Sequence, residues 1–123
     1  MSGNRLFVDT NIILYLLSGN ETLAELLHEK ELYVSFITQL ELLGYQSISE
    51  KDQEILEEFL SQCIIIDVNN RIKDEVIRLR KNYKIKLPDC IIMASSLYLN
   101  MPLLTADSDF QKVKELNLVY FEN

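Results

Sequence analysis

The chain has 123 residues, 48% hydrophobic and 25% charged, with only 3 glycines and 2 prolines, which suits one domain around one core and excludes a disordered or fibrous chain. The net charge of −7 argues against a protein that holds nucleic acid by bulk charge alone. No apolar run approaches the ~20 residues of a membrane helix, and Asp9 interrupts the N-terminus before any signal-like core forms, so a cytoplasmic protein is expected.

In chain order, Leu6-Phe7-Val8 is a short apolar run followed by Asp-Thr-Asn, which predicts a buried strand ending in a polar turn, then a helix over Ile12 to Leu17. Glu21 to Lys30 predicts a second helix with Leu23, Leu26 and Leu27 as its stripe, and Leu32 to Ser35 a second strand. Thr38 to Tyr45 predicts a helix that stops near Gly44. Ser49 with Asp52 resembles a capping box opening a helix to Leu60, with Ile55, Leu56, Phe59 and Leu60 facing inward. Cys63 to Ile66 is the clearest buried strand. Ile72 to Tyr83 predicts an amphipathic helix, and Pro88 opens another that runs to about Leu99. Pro102 to Thr105 predicts a strand, Phe110 to Leu116 a short helix, and Leu118 to Phe121 a closing strand. Strands alternating with helices predict a single α/β domain over residues 1–123, a sandwich with a mostly parallel sheet. In such sheets ligands bind beyond the carboxyl ends of the strands, the edge to which Asp9 and Asp107 both belong.

Seven of the 12 Lys and Arg residues fall between Arg71 and Lys86, either a solvated helix face or a local nucleic-acid contact. Arg78, Lys81, Lys84 and Lys86 are the candidates for phosphate contacts. Cys63 and Cys90 sit in apolar runs outside any metal-binding spacing, so both are expected as buried, reduced thiols.

Four acids stand apart from their surroundings. Asp9 is the only charge between Leu6 and Ser18, Glu41 between Leu32 and Ser49, and Asp89 between Leu87 and Leu104, while Asp107 opens a polar turn after an apolar strand. Glu41 shares one helical face with Ile37, Leu40 and Gly44, so its carboxylate is expected in or beside the core. An ionised carboxylate there needs a cation or strong hydrogen bonds. Each acid also has a purely structural reading: Asp9 and Asp107 as helix caps, Asp89 complementing a helix dipole, Glu41 pairing with a distant base. One shared site accounts for all four at once.

Oxygen-only ligation suits hard cations such as Mg²⁺ or Mn²⁺. The one histidine, His28, lies in a polar stretch and reads as a surface residue, which argues against zinc chemistry and against a Ser/His/Asp arrangement. A divalent ion among carboxylates activates water and stabilises charge on a phosphate, so a phosphodiester is the natural substrate.

The chain also resembles a known family. FVDTNIILYLL is similar to the first strand and acid of PIN-domain ribonucleases, SFITQLELLGY to their glutamate helix, and KLPDCIIMASSLYLNMPLLTADSDF to their third and fourth acid region. The resemblance covers nearly the whole chain and is to the toxins of VapBC-type toxin–antitoxin pairs. It implies a three-layer α/β/α sandwich and endonucleolytic cleavage of RNA dependent on Mg²⁺ or Mn²⁺. It also implies Asp9, Glu41, Asp89 and Asp107 as catalytic, metal-binding acids, with Asp109 as a competing or further ligand. Asn11 and Thr105 become polar supports. A homodimer and an antitoxin that inserts a segment into the site are implied as well. Three other readings remain open: a flap or DNA nuclease, a non-catalytic PIN-fold RNA-binding module, and a phosphoacceptor domain, the last giving Glu41 no role and lacking the expected lysine near PLLTAD.

Overall fold

Each strand of this chain contains two or more consecutive apolar residues, and in the three central strands these are buried on both faces. The computed structural model describes residues 4–122. Along it run β1 (Arg5–Val8), α1 (Thr10–Leu17), α2 (Glu21–Leu27), β2 (Glu31–Ser35), α3 (Phe36–Leu43), α4 (Glu50–Ser61), β3 (Ile64–Ile66), α5 (Asn70–Asn82), α6 (Leu87–Leu99), β4 (Leu103–Thr105), a 3-10 turn (Ser108–Lys112) and β5 (Leu118–Tyr120). The sheet order is β3-β2-β1-β4-β5, with every neighbouring pair parallel.

Alternation along the strands divides the core in two. Leu6 and Val8 of β1, Leu32 and Val34 of β2 and Leu104 of β4 face one side, packing with Ile12, Ile13, Leu23, Leu42, Leu56 and Leu60 of the first four helices. Phe7, Tyr33 and Leu103 face the other, against Ile72, Leu79, Ile92, Met93 and Phe110. The architecture is therefore a three-layer α/β/α sandwich. From β1 the chain steps outward through β2 to β3 with helices on one face; the α5–α6 pair then carries it back to β4, on the other side of β1, with helices on the opposite face. Right-handed crossovers require that change of face whenever the direction of travel reverses. The reversal leaves a switch point beside β1 and β4, where ligands bind in open α/β sheets. Among the described residues, no helix is long and apolar enough to cross a membrane.

Several expectations need correction. Cys63 to Ile66 is not an enclosed strand: β3 begins at Ile64 and lies at the sheet edge, with Ile64 38% exposed and Cys63 half-buried. An apolar run of this length looks the same at an edge and in the centre. The helix expected over Phe110 to Leu116 is a 3-10 turn ending at Lys112. Phe110, Val113 and Leu116 are all buried, and their three-residue spacing suits a tight turn as well as a helix. Asp107 decides it by accepting the Asp109 backbone N–H at 2.9 Å, a local bond that competes with helix formation. In α3 the buried residues are Thr38 and Leu42, whereas Leu40 is 59% exposed and Glu41 is exposed. The helix starts at Phe36, directly on the end of β2, so it faces the sheet by a different side from the one expected. In α4, Leu56 and Leu60 are buried but Ile55 is 43% exposed. Its capping is as expected, with Ser49 accepting the Asp52 N–H. Gly44 ends α3 because a Cβ there would meet the Leu40 carbonyl oxygen at 2.5 Å.

Candidate active site

β1 ends at Val8, and Asp9 caps α1. Its backbone N–H donates to the Leu104 carbonyl, tying the acid to β4. The residue is only 4% exposed, yet both carboxylate oxygens are held: Oδ1 accepts the Thr10 N–H at 2.7 Å and Oδ2 the Thr105 hydroxyl at 2.7 Å. Burial raises the Asp9 pKa, the bonds from Thr105 and Thr10 oppose the rise, and the charges of Asp107 and Glu41 add to it.

Thr105 is the last residue of β4 and fully buried. Its oxygen accepts the Asp107 N–H at 3.1 Å while its proton goes to Asp9, so one side chain links two acids far apart in sequence. Asp107 starts the 3-10 turn. Asp109, two residues on, is exposed and paired with Lys112 at 3.3 Å. Asp107 appears among the charges that raise Asp9 and Asp89, and Asp109 does not. The structure therefore brings Asp107 to the cluster and turns Asp109 toward Lys112.

Asp89 lies in the first turn of α6, after a proline that suits that position. Its pKa is pushed up to about 6, first by burial and then by Asp9, with Lys86 pulling it down and Asp107 and Glu41 adding to the rise. Glu41 reaches the group from α3, at the rim, where its Oε1 accepts the Thr10 hydroxyl at 2.9 Å. The charges of Asp107 and Glu41 thus act on both Asp9 and Asp89. Asn11 is exposed; its neighbour Thr10 makes the contacts to Asp9 and Glu41. Sequence reasoning passed over Thr10 and Thr38, although a threonine beside the first acid and another one turn before the glutamate were visible signals.

The donors are of the oxygen-only kind that a hard cation takes. The set is built of carboxylates and hydroxyls, His28 is exposed, and among the described residues Lys86 is the cation whose charge acts on Asp89. Among the described residues, no group of three or more His, Cys, Asp or Glu side chains stands as a ready metal cage.

Two features flank the acids. An apolar groove of about 530 Å³ leads away from Thr10 and Glu41 between Leu14, Tyr45 and Ile55. The other is Lys86, exposed and acting on Asp89 by its charge; Lys81 and Lys84, before it in the chain, are exposed as well. Arg78 differs from them: its guanidinium meets Glu75 at 2.6 Å and Glu115 at 2.7 Å, and the Tyr83 hydroxyl donates to Glu115.

Residues 6–116 match the family model described as PIN domain. No curated protein matches the chain. Among solved structures, the chain is similar to one in a toxin-antitoxin complex from Klebsiella pneumoniae, at 29% identity and TM-score 0.80 over 93% of this chain and 95% of that one. It is similar to a chain of VapBC-1 from nontypeable Haemophilus influenzae, at 27% identity and TM-score 0.75 over 94% and 97%. A chain of VapBC2 from Rickettsia felis, bound to a DNA fragment from their promoter, shares the fold at 23% identity and TM-score 0.84 over 96% and 99%.

Proposed function

Since the chain belongs to the PIN domain family, we propose that it is a nuclease toxin of a type II toxin–antitoxin pair, hydrolysing RNA phosphodiester bonds in the presence of Mg²⁺ or Mn²⁺. One observation carries the reading. Asp9 is a nearly buried carboxylate held at both oxygens, with the charges of Asp107, Glu41 and Asp89 acting on it or it on them, an arrangement that costs stability in the protein alone and is useful to a cation. Asp9, Glu41, Asp89 and Asp107 would hold the cation, and a bound divalent ion supplies the positive charge that activates water and stabilises a phosphate in its transition state.

The chain's own residues supply the rest. Thr105 and the Thr10 N–H keep Asp9 in one orientation. Thr105 also holds the turn from which Asp107 projects. Asp89, with a pKa near 6, gives up its proton as positive charge enters, so cation binding should weaken as pH falls through that value. Lys81, Lys84 and Lys86 provide positive charge for an RNA backbone beside the acids. Arg78, committed to Glu75 and Glu115, has less to offer. The similarity to chains from toxin–antitoxin complexes supports a cognate antitoxin, and the reading extends to a homodimer.

The test is RNA cleavage by purified protein. Single-stranded RNA should be cut with Mg²⁺ or Mn²⁺, with EDTA abolishing cutting and Asp89→Asn lowering it by ~100-fold or more. Cleavage that persists in EDTA or in Asp89→Asn would overturn the proposal, and cutting of branched DNA in preference to RNA would replace the substrate.

A further inference from the structure

We propose that Thr10 and Thr38 form a hydroxyl relay that positions Glu41 within the acid cluster, a role that rests on the nuclease reading above. Thr10 Oγ1 lies 2.9 Å from Glu41 Oε1 and 2.9 Å from Thr38 Oγ1. A threonine hydroxyl carries one proton, and an ionised carboxylate only accepts. The Thr10 proton therefore goes to Glu41. The Thr10 oxygen must then accept from Thr38, so the charge on Glu41 sets the direction of both bonds.

The two threonines suit this role by their positions. Thr38 is fully buried and precedes Glu41 by one turn on α3, where a buried hydroxyl must find a partner. Thr10 opens α1. Its backbone N–H donates to Asp9 and its hydroxyl to Glu41, so one residue fixes two acids supplied by different segments. Glu41 needs such a hold. It is exposed, its side chain has several freely rotating bonds, and its charge and that of Asp89 repel each other. The relay keeps the glutamate at the cluster without adding positive charge that would compete with a cation. Both threonines are positioning residues, acting through Glu41.

The experiment compares wild type, Thr10→Val, Thr38→Val and Thr10→Ser by calorimetric titration with Mn²⁺, RNA cleavage and thermal melting. The valine variants keep the shape and remove the hydroxyl; the serine variant keeps the hydroxyl. Each valine variant should bind Mn²⁺ ~10-fold or more weakly, as loss of a group that orients a ligand does, while Thr10→Ser stays within ~3-fold of wild type. The double valine variant should be no worse than Thr10→Val, because both substitutions break one relay. Valine variants that bind and cut like wild type, or a serine variant as weak as valine, overturn the relay alone. A wild type that neither binds Mn²⁺ nor cuts RNA overturns the nuclease reading and the relay's role with it. Should the buried Thr38→Val fail to fold, the partly exposed Thr10 pair decides the matter.

Discussion

Asp89 has an ordinary carboxylate value of 3.8 and a value of about 6 in the folded chain. Because the folded value is raised, protonation favours the fold. The stability this group contributes is complete below 3.8 and is lost as pH rises through about 6. Asp9 is shifted in the same direction, so the two residues act together. The cation-free protein should therefore melt at a higher temperature at pH 5 than at pH 7. Asp89→Asn should raise the pH 7 value by about 1–2 kcal/mol after allowance for solvent screening, or about 3–8 °C. Thermal melts in EDTA across pH 4.5–8 check this, and a melting temperature that is flat or rises with pH contradicts it.

At the scale of elements, α5 and the loop after it carry two kinds of positive charge that sequence spacing does not separate. Arg78 bridges α5 to Glu115 beyond the 3-10 turn, and Tyr83 braces the same carboxylate. This clamp holds the element that precedes Asp89 against the segment that leads into β5. The lysines from Lys81 to Lys86 are exposed and lead into α6. Arg78→Ala should cost about 1 kcal/mol of stability, since its ion pairs are partly exposed, and leave the salt dependence of RNA binding unchanged. Lys86→Ala should spare stability and reduce the salt slope of RNA binding by about 1. Urea denaturation and RNA binding measured across a salt series separate the two, and an exchange of effects would reverse their roles.

For the whole molecule, the site exists because β1 and β4 are neighbours at the point where the chain changes direction. Asp9 and Asp107 come from those two strand ends, Glu41 from the helix after β2, and Asp89 from the helix that leads into β4. Four segments of a chain with net charge −7 thus place like charges together, and a ligand that binds only this arrangement stabilises all of it. At a concentration one hundred times its Kd, Mn²⁺ should add about 2.7 kcal/mol of stability, visible as a rise in melting temperature that EDTA reverses and Asp9→Asn abolishes. A rise of equal size in Asp9→Asn would point to binding elsewhere.

The sequence by itself determined the order of strands and helices, because apolar runs and caps such as Ser49 are local signals. It also marked Asp9, Glu41 and Asp89, since an isolated charge in an apolar segment stands out whatever surrounds it in space. It did not determine which strands lie at the edges: Cys63 to Ile66 reads as a buried strand, whereas Ile64 is exposed and its neighbours are only part-buried. Nor did it determine which acid is buried. Helical periodicity put Glu41 toward the core, whereas the junction of β2 with α3 turns Thr38 and Leu42 inward and leaves Glu41 at the rim, with Asp9 the most enclosed acid. Which of Asp107 and Asp109 lies with the other acids likewise waited for the tertiary structure. Two carboxylates two residues apart are equivalent in a sequence, and only the Thr105 hydroxyl on one side and Lys112 on the other divide them. Local patterns fix which residues are polar and where elements begin, but the partner of each polar group comes from a distant part of the chain, and that pairing exists only once the chain has folded.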